Sequence, residues 1–196
     1  MSQAETTDMS LAATVSQFAM LISSAIITDV AQKKLPLEQG MEQMIQLLWT
    51  CREQEGTVYI VGNGGSAAIA SHATIDLINM AKVRSTALLD PAVTTCISND
   101  YGYEEIYAKQ LERFLKPEDV LIAISSSGKS KNIIKAVEVA KEKGVKAITL
   151  SGFLSHNPLR TVGDFNLWLN STDYGQVEIG HAYVLHNITD RLAQAM

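Results

Sequence analysis

Cysteine is scarce in this 196-residue sequence, and the features that mark nucleic-acid, membrane or secreted proteins are missing. The two cysteines, Cys51 and Cys96, lie in or beside apolar segments without metal-ligand spacing. Each therefore reads as a reduced core thiol, which points to the cytoplasm. No dense basic patch occurs, and 16 Lys and Arg face 21 Asp and Glu for a net charge of −5. That balance argues against nucleic acid as the main ligand but leaves room for a local phosphate site. No apolar run reaches the roughly 18 residues of a membrane span. Ser2 to Asp8 lacks the basic then apolar order of a secretion signal. No internal repeat, low-complexity tract or linker divides the chain, so its 46% apolar residues predict one domain over 1–196 with one sizeable core.

Two loops suited to an anion are present. Asp119 to Ile124 is an apolar run of buried-strand type, and Ser130 to Lys143 is amphipathic at helical period, with Ile133, Ile134, Val137 and Ala140 on one face. Ser125, Ser126, Ser127 and Ser130 thus crowd a helix N-terminus, where free N–H groups and the helix dipole attract an anion that hydroxyls can also bind. Gly128 allows a close backbone approach. A capped Ser-rich turn would look the same on its own. A second loop, Gly62-Asn63-Gly64-Gly65-Ser66, again follows an apolar strand (57–61) and opens a helix (67 to about 80). In an open parallel sheet both loops fall at strand carboxyl ends and can share one ligand, such as a sugar phosphate.

Ahead of these loops, Leu11, Val15, Phe18, Ile22, Ala25, Ile26 and Val30 form a stripe that predicts a helix from about Ser10 to Gln32. Pro36 opens a second helix with apolar positions Leu37, Met41, Met44, Ile45 and Leu48. This pair, within 1–53, is expected to pack on another subunit or on its own sheet. Over 56–196 strand and helix signals alternate, with a short strand around Thr94 to Ile97 and a helix from Tyr103 to Leu115 among them. The alternation implies right-handed crossovers and a doubly wound parallel sheet.

His72 and Asp76 are four residues apart on the first loop's helix, and Glu178 and His186 share a face of the last helix. If the two helices meet, these four side chains suit zinc or another divalent metal. The spacing alone equally describes surface pairs. His181 and His156 default to structural or solvent roles. Gly62 to Ala67 also satisfies a dinucleotide fingerprint, with Asp90 closing the next strand as a ribose-binding acid would.

In the order Gly62-Asn63-Gly64-Gly65-Ser66, Ser98-Asn99-Asp100-Tyr101-Gly102-Tyr103 and Ile124-Ser125-Ser126-Ser127-Gly128-Lys129-Ser130, the chain resembles the sugar isomerase (SIS) domain family. It is most similar to the branch of phosphoheptose isomerases and the related DnaA initiator-associating protein. The resemblance implies a three-layer, flavodoxin-like α/β fold with a five-stranded parallel sheet and helices on both faces. It also implies a homotetramer with sites between subunits, and interconversion of D-sedoheptulose 7-phosphate and D-glycero-D-manno-heptose 7-phosphate. By resemblance, Ser66, Ser125, Ser126, Ser127 and Ser130 bind phosphate with Gly64 and Gly65. Asn63, Asp100 and Glu178 line the sugar site. His72, Asp76, Glu178 and His186 hold the metal, with Asp76 as base and His186 as acid.

Several positions depart from the family pattern, among them the approach to the last helix, which reads Asp173-Tyr174-Gly175-Gln176 where the family carries an arginine. Asp76 stands where the isomerases have glutamate, Glu178 where they have glutamine, and Met80 where an arginine is usual. The leading expectation is an aldose–ketose isomerase working through an enediol. A non-catalytic sugar-phosphate sensor or DnaA-associating protein is the second reading, and a nicotinamide oxidoreductase the third.

Overall fold

The computed structural model describes residues 8–194. Ser2 to Thr7, read above as no secretion signal, and the last two residues of the expected domain lie outside that range. From Thr57 onward the elements alternate as the sequence pattern predicts: β3 (Thr57–Gly62), α3 (Gly65–Asn79), β4 (Arg84–Ala87), α4 (Pro91–Tyr101), α5 (Ala108–Phe114), β5 (Val120–Ser125), α6 (Lys131–Glu142), β6 (Lys146–Ser151), β7 (Phe165–Trp168) and α7 (Tyr174–Gln194). Five strands run parallel in the order β4-β3-β5-β6-β7. Every residue of β5 is buried, because helices cover both faces of the sheet. One core lies under α3 and α7, with Ala70, Leu77, Val184 and Leu185 against Val58, Ile60 and Ile122. The other lies under α5 and α6, with Leu111, Ile133 and Val137 against Val61, Leu121 and Ala123.

The N-terminal region differs from its reading. The first helix, α1 (Leu11–Ser23), stops early, and Ile26–Asp29 form strand β1, followed by β2 (Lys34–Leu35) and α2 (Leu37–Glu53). Ser24 Oγ turns back to Leu21 O at 3.2 Å. The β-branched run Ile26-Ile27-Thr28 then pairs antiparallel with β7. The sheet is therefore seven-stranded, β2-β1-β7-β6-β5-β3-β4, with the hairpin covering the β7 edge. Met41, Met44, Ile45 and Leu48 of α2 pack on their own sheet, whereas α1 buries only Leu21.

Two further expectations fail for local reasons. Thr94 to Ile97 lie inside α4, because Asp90 caps that helix by accepting from Val93 N at 2.9 Å and Pro91 opens it. Tyr103 to Leu115 divides into a 3-10 turn (Tyr103–Glu105) and the short α5. Cys51 is buried as expected, but Cys96 is exposed on α4, its thiol donating to Asp100 at 3.6 Å.

Candidate active site

Strands β3 and β5 are parallel neighbours with Gly62 opposite Ile124, so both loops emerge side by side at the sheet's carboxyl edge. The helices that follow go to opposite faces, α3 into one core and α6 into the other. This is the switch point where open sheets bind ligands. The cleft there, of about 290 Å³, is lined by Asn63, Gly64, Gly65, Ser66, Ser125, Ser126, Ser127 and Ser130, together with Ile124, Tyr174 and Glu178. Neither α3 nor α6 has a side-chain cap, and while Ala67 N and Ile133 N already bond backbone carbonyls, the N–H groups of Gly65, Ser66, Lys131 and Asn132 at the helix starts have no partner among the described residues and suit an anion. Ser125 Oγ reaches Ser130 Oγ at 3.1 Å, while the buried Ser126 Oγ has no partner among the described residues. A buried hydroxyl without a partner is costly, and a ligand oxygen would satisfy it.

Glu178 lines the cleft as expected but stands apart from the other metal candidates, and Asp100, expected at the sugar site, stands outside the cleft. A Cβ on Gly65 would lie 2.3 Å from Glu178 Oε2, so the Glu178 carboxylate rests on the start of α3, inside the cleft. Eight residues along α7 separate it from His186, about 12 Å of helix rise, so a shared face does not bring the two to one ion. Asp100 is exposed in the last turn of α4, where Asn99 Nδ2 donates to it at 2.9 Å, and it is absent from the cleft lining.

The other three metal candidates do converge. Helices α3 and α7 run side by side in the same sense, Gly65 facing Glu178 at one end and Asp76 facing His186 further along. Asp76 Oδ2 lies 3.2 Å from His72 Nε2 and 3.2 Å from His186 Nδ1. The ligand atoms of His72, Asp76 and His186 all lie within 4.8 Å of one another. Two imidazoles and a carboxylate suit zinc with an open position for substrate. The hollow around them, lined by Ala68, Ile69, Ala73, Ala182 and Leu185, opens to solvent, and the His72 and His186 side chains are 62% and 47% exposed.

The SIS domain family model matches residues 23–152. The chain is a member of the SIS domain family. A phosphoheptose isomerase of Helicobacter pylori (strain Shi470) is 37% identical over 183 residues, covering 87% of this chain and 95% of that protein. The structure of a phosphoheptose isomerase from Francisella tularensis superposes with a TM-score of 0.81 at 29% identity, covering 92% of this chain and 93% of that one. That of phosphoheptose isomerase from Neisseria gonorrhoeae gives 0.80 at 26% identity, covering 93% and 97%.

Within this SIS domain, several residues escape a reading of the sequence alone. Asn132 and Tyr103 bond the Asn63 side chain, Tyr107 OH donates to Gly62 O at 2.5 Å, and Tyr174, which lines the cleft, packs its ring at a tilt against Phe153. The advance signals are that Asn132 stands two residues after the serine loop, that Tyr103 ends one of the motifs carrying the resemblance, and that Tyr103 and Tyr107 are spaced i, i+4. His181 is fully buried, with Nε2 3.2 Å from Ser151 O. Burial pushes its imidazole down to about 4, so it stays neutral and structural at pH 7. With Asp90 engaged as a helix cap, the ribose-binding acid of the dinucleotide reading is otherwise occupied.

Proposed function

We propose that this SIS domain interconverts a ketose and an aldose phosphate of heptose size, sedoheptulose 7-phosphate and D-glycero-D-manno-heptose 7-phosphate or a close relative. Membership of the phosphoheptose isomerase branch makes the chain a phosphosugar isomerase, and the geometry supports this activity. The observation that carries the reading is the pairing of two features on parallel helices. The anion-suited cleft sits at the start of α3, and the His72, Asp76 and His186 cluster lies about two turns further on. That separation, about 12 Å of helix, favours a long sugar chain over a triose, its phosphate held by Ser66, Ser125, Ser126, Ser127 and Ser130.

Asp76 removes a proton from the carbon that carries the hydroxyl beside the carbonyl. His186 protonates the carbonyl oxygen, giving the enediol. Reversal of these roles at the neighbouring carbon and oxygen returns the proton and completes the transfer. Both imidazoles face Asp76 Oδ2, which leaves Oδ1 to take the proton. Zinc or another divalent ion held by His72, Asp76 and His186 would supply Lewis-acid polarisation of the sugar oxygens. Glu178 contacts the substrate from the cleft side. The open cluster and the exposed apolar side chains beside it, Ile75 and Ile179 among them, support a homotetramer that completes its sites across subunits. The reaction belongs in the cytoplasm, where the thiols stay reduced.

Asp76→Asn is the direct test. Turnover is expected to fall about 10²- to 10⁴-fold, the usual contribution of a positioned proton-transfer group, while inhibition by inorganic phosphate stays within about twofold. A variant with full activity sinks the assignment of the base.

A further inference from the structure

The side chain of Asn63, at the turn from β3 to α3, is clasped on three sides. Its Oδ1 accepts from Asn132 Nδ2 at 2.8 Å and from Tyr103 OH at 3.1 Å. Its Nδ2 donates to Asn132 Oδ1 at 2.9 Å. A primary amide has two acceptor sites and two N–H donors, so these bonds use both acceptors and one donor. One N–H remains, on a residue that lines the cleft. The terminal torsion of asparagine is broad on its own, and the reciprocal amide pair removes that freedom. The partners are themselves held. Asn132 is 2% exposed in the first turn of α6, two residues after Ser130. The 3-10 turn that carries Tyr103 is tied to α6 by the ion pair between Glu105 and Lys135. The Gly62 carbonyl beside Asn63 accepts from Tyr107 OH.

We propose that Asn132 and Tyr103 are positioning residues that aim the remaining N–H of Asn63 at an oxygen of the sugar chain next to the phosphate. The inference rests on reading the cleft as a sugar-phosphate site. Phosphate oxygens already meet the serine hydroxyls and the helix N–H groups, whereas a neutral amide donor suits a hydroxyl or carbonyl oxygen. Because the start of α6 both cradles the phosphate and holds Asn63 through Asn132, one rigid piece sets the distance between the phosphate and the oriented sugar oxygen. Misplacement of a reacting group by about 1 Å can cost 10²-fold in rate. The clasp therefore acts on orientation and leaves phosphate affinity alone.

The test uses Asn132→Asp, which keeps the shape and the acceptor for Asn63 Nδ2 but sets an oxygen against Asn63 Oδ1. Its kcat on sedoheptulose 7-phosphate is expected to fall about 10- to 100-fold, with inhibition by inorganic phosphate unchanged within about twofold. Added to Asn63→Ala, it costs nothing further. Tyr103→Phe, lacking one of the two donors to Oδ1, shows a smaller loss of the same kind. A second readout needs no turnover: sedoheptulose 7-phosphate raises the wild-type Tm more than inorganic phosphate does, and the variant loses that excess while keeping the phosphate shift. An excess that survives in Asn132→Asp, or losses that add to those of Asn63→Ala, overturn the proposal. Loss of the phosphate shift as well marks a purely structural role and also overturns it. If the wild-type shifts are equal for both ligands, the sugar-phosphate reading fails, and the clasp's role with it.

Discussion

At the scale of single residues, the site sets one carboxylate to work and places another where charge opposes the ligand. Glu178 rests at the start of α3 among the phosphate-binding serines, so its charge acts against a bound phosphate while the helix start attracts it. Glu178→Gln is expected to tighten inorganic phosphate several-fold in a competition assay, and more so at low salt. Ser126→Ala works in the other direction. It removes the buried hydroxyl that lacks a partner among the described residues. Folding stability should hold or rise, while phosphate binding weakens about 10- to 150-fold, the worth of one hydrogen bond to a charged group. His181 gives a pH signature. Its imidazole titrates near 4 when folded and near 6.5 when unfolded, so the unfolded chain takes the proton first. Stability is therefore lost as pH falls from about 6.5 toward 4, by up to about 3 kcal/mol, and this contribution is level above and below that window. His181→Gln should flatten that part of the acid limb in urea unfolding followed from pH 7 to 4.

At the scale of elements, the two phosphate loops were legible because an anion site needs a strand, a glycine or serine turn and a helix start in that order. His72, Asp76 and His186 were legible because helical period puts them on facing stripes. The N-terminal hairpin was not. Ala25, Ile26 and Val30 continue the apolar stripe of α1 at helical spacing, and only the open edge of β7, a tertiary feature, selects the strand. Glu178 lines the cleft as expected, but it does not group with His72, Asp76 and His186, because periodicity reports a residue's face, not its depth along the axis. The Asp90-Pro91 start of α4 was legible in kind, yet the β-branched Val93, Thr94 and Thr95 outweighed it. The hairpin makes its own prediction. Ile27 is fully buried, with Gly40 of α2 so close that a Cβ there would lie 2.8 Å from it. Ile27→Ala should cost about 2–5 kcal/mol by denaturant unfolding, against little effect if the hairpin were an ornament on the sheet.

At the scale of the whole molecule, exposed apolar residues occur on α3 and α7, which carry the histidine–aspartate cluster, and on α1. Ile75, Ile78 and Met80 lie on or beside α3, Ile179 and Tyr183 on α7, and Val15 and Met20 on α1. Patches of this kind mark interfaces, so light scattering is expected to give four times the chain mass. The central claim is that enediol chemistry runs with aspartate at position 76. The measurement that tests it most directly is to incubate the metal-replete protein with sedoheptulose 7-phosphate in heavy water and follow the carbon-bound hydrogens beside the carbonyl by NMR. The account predicts that deuterium enters there in the wild type and not in Asp76→Asn. No incorporation from this or any other ketose phosphate, with the sugar phosphates still protecting the protein against heat, would contradict it and leave a binding protein in its place.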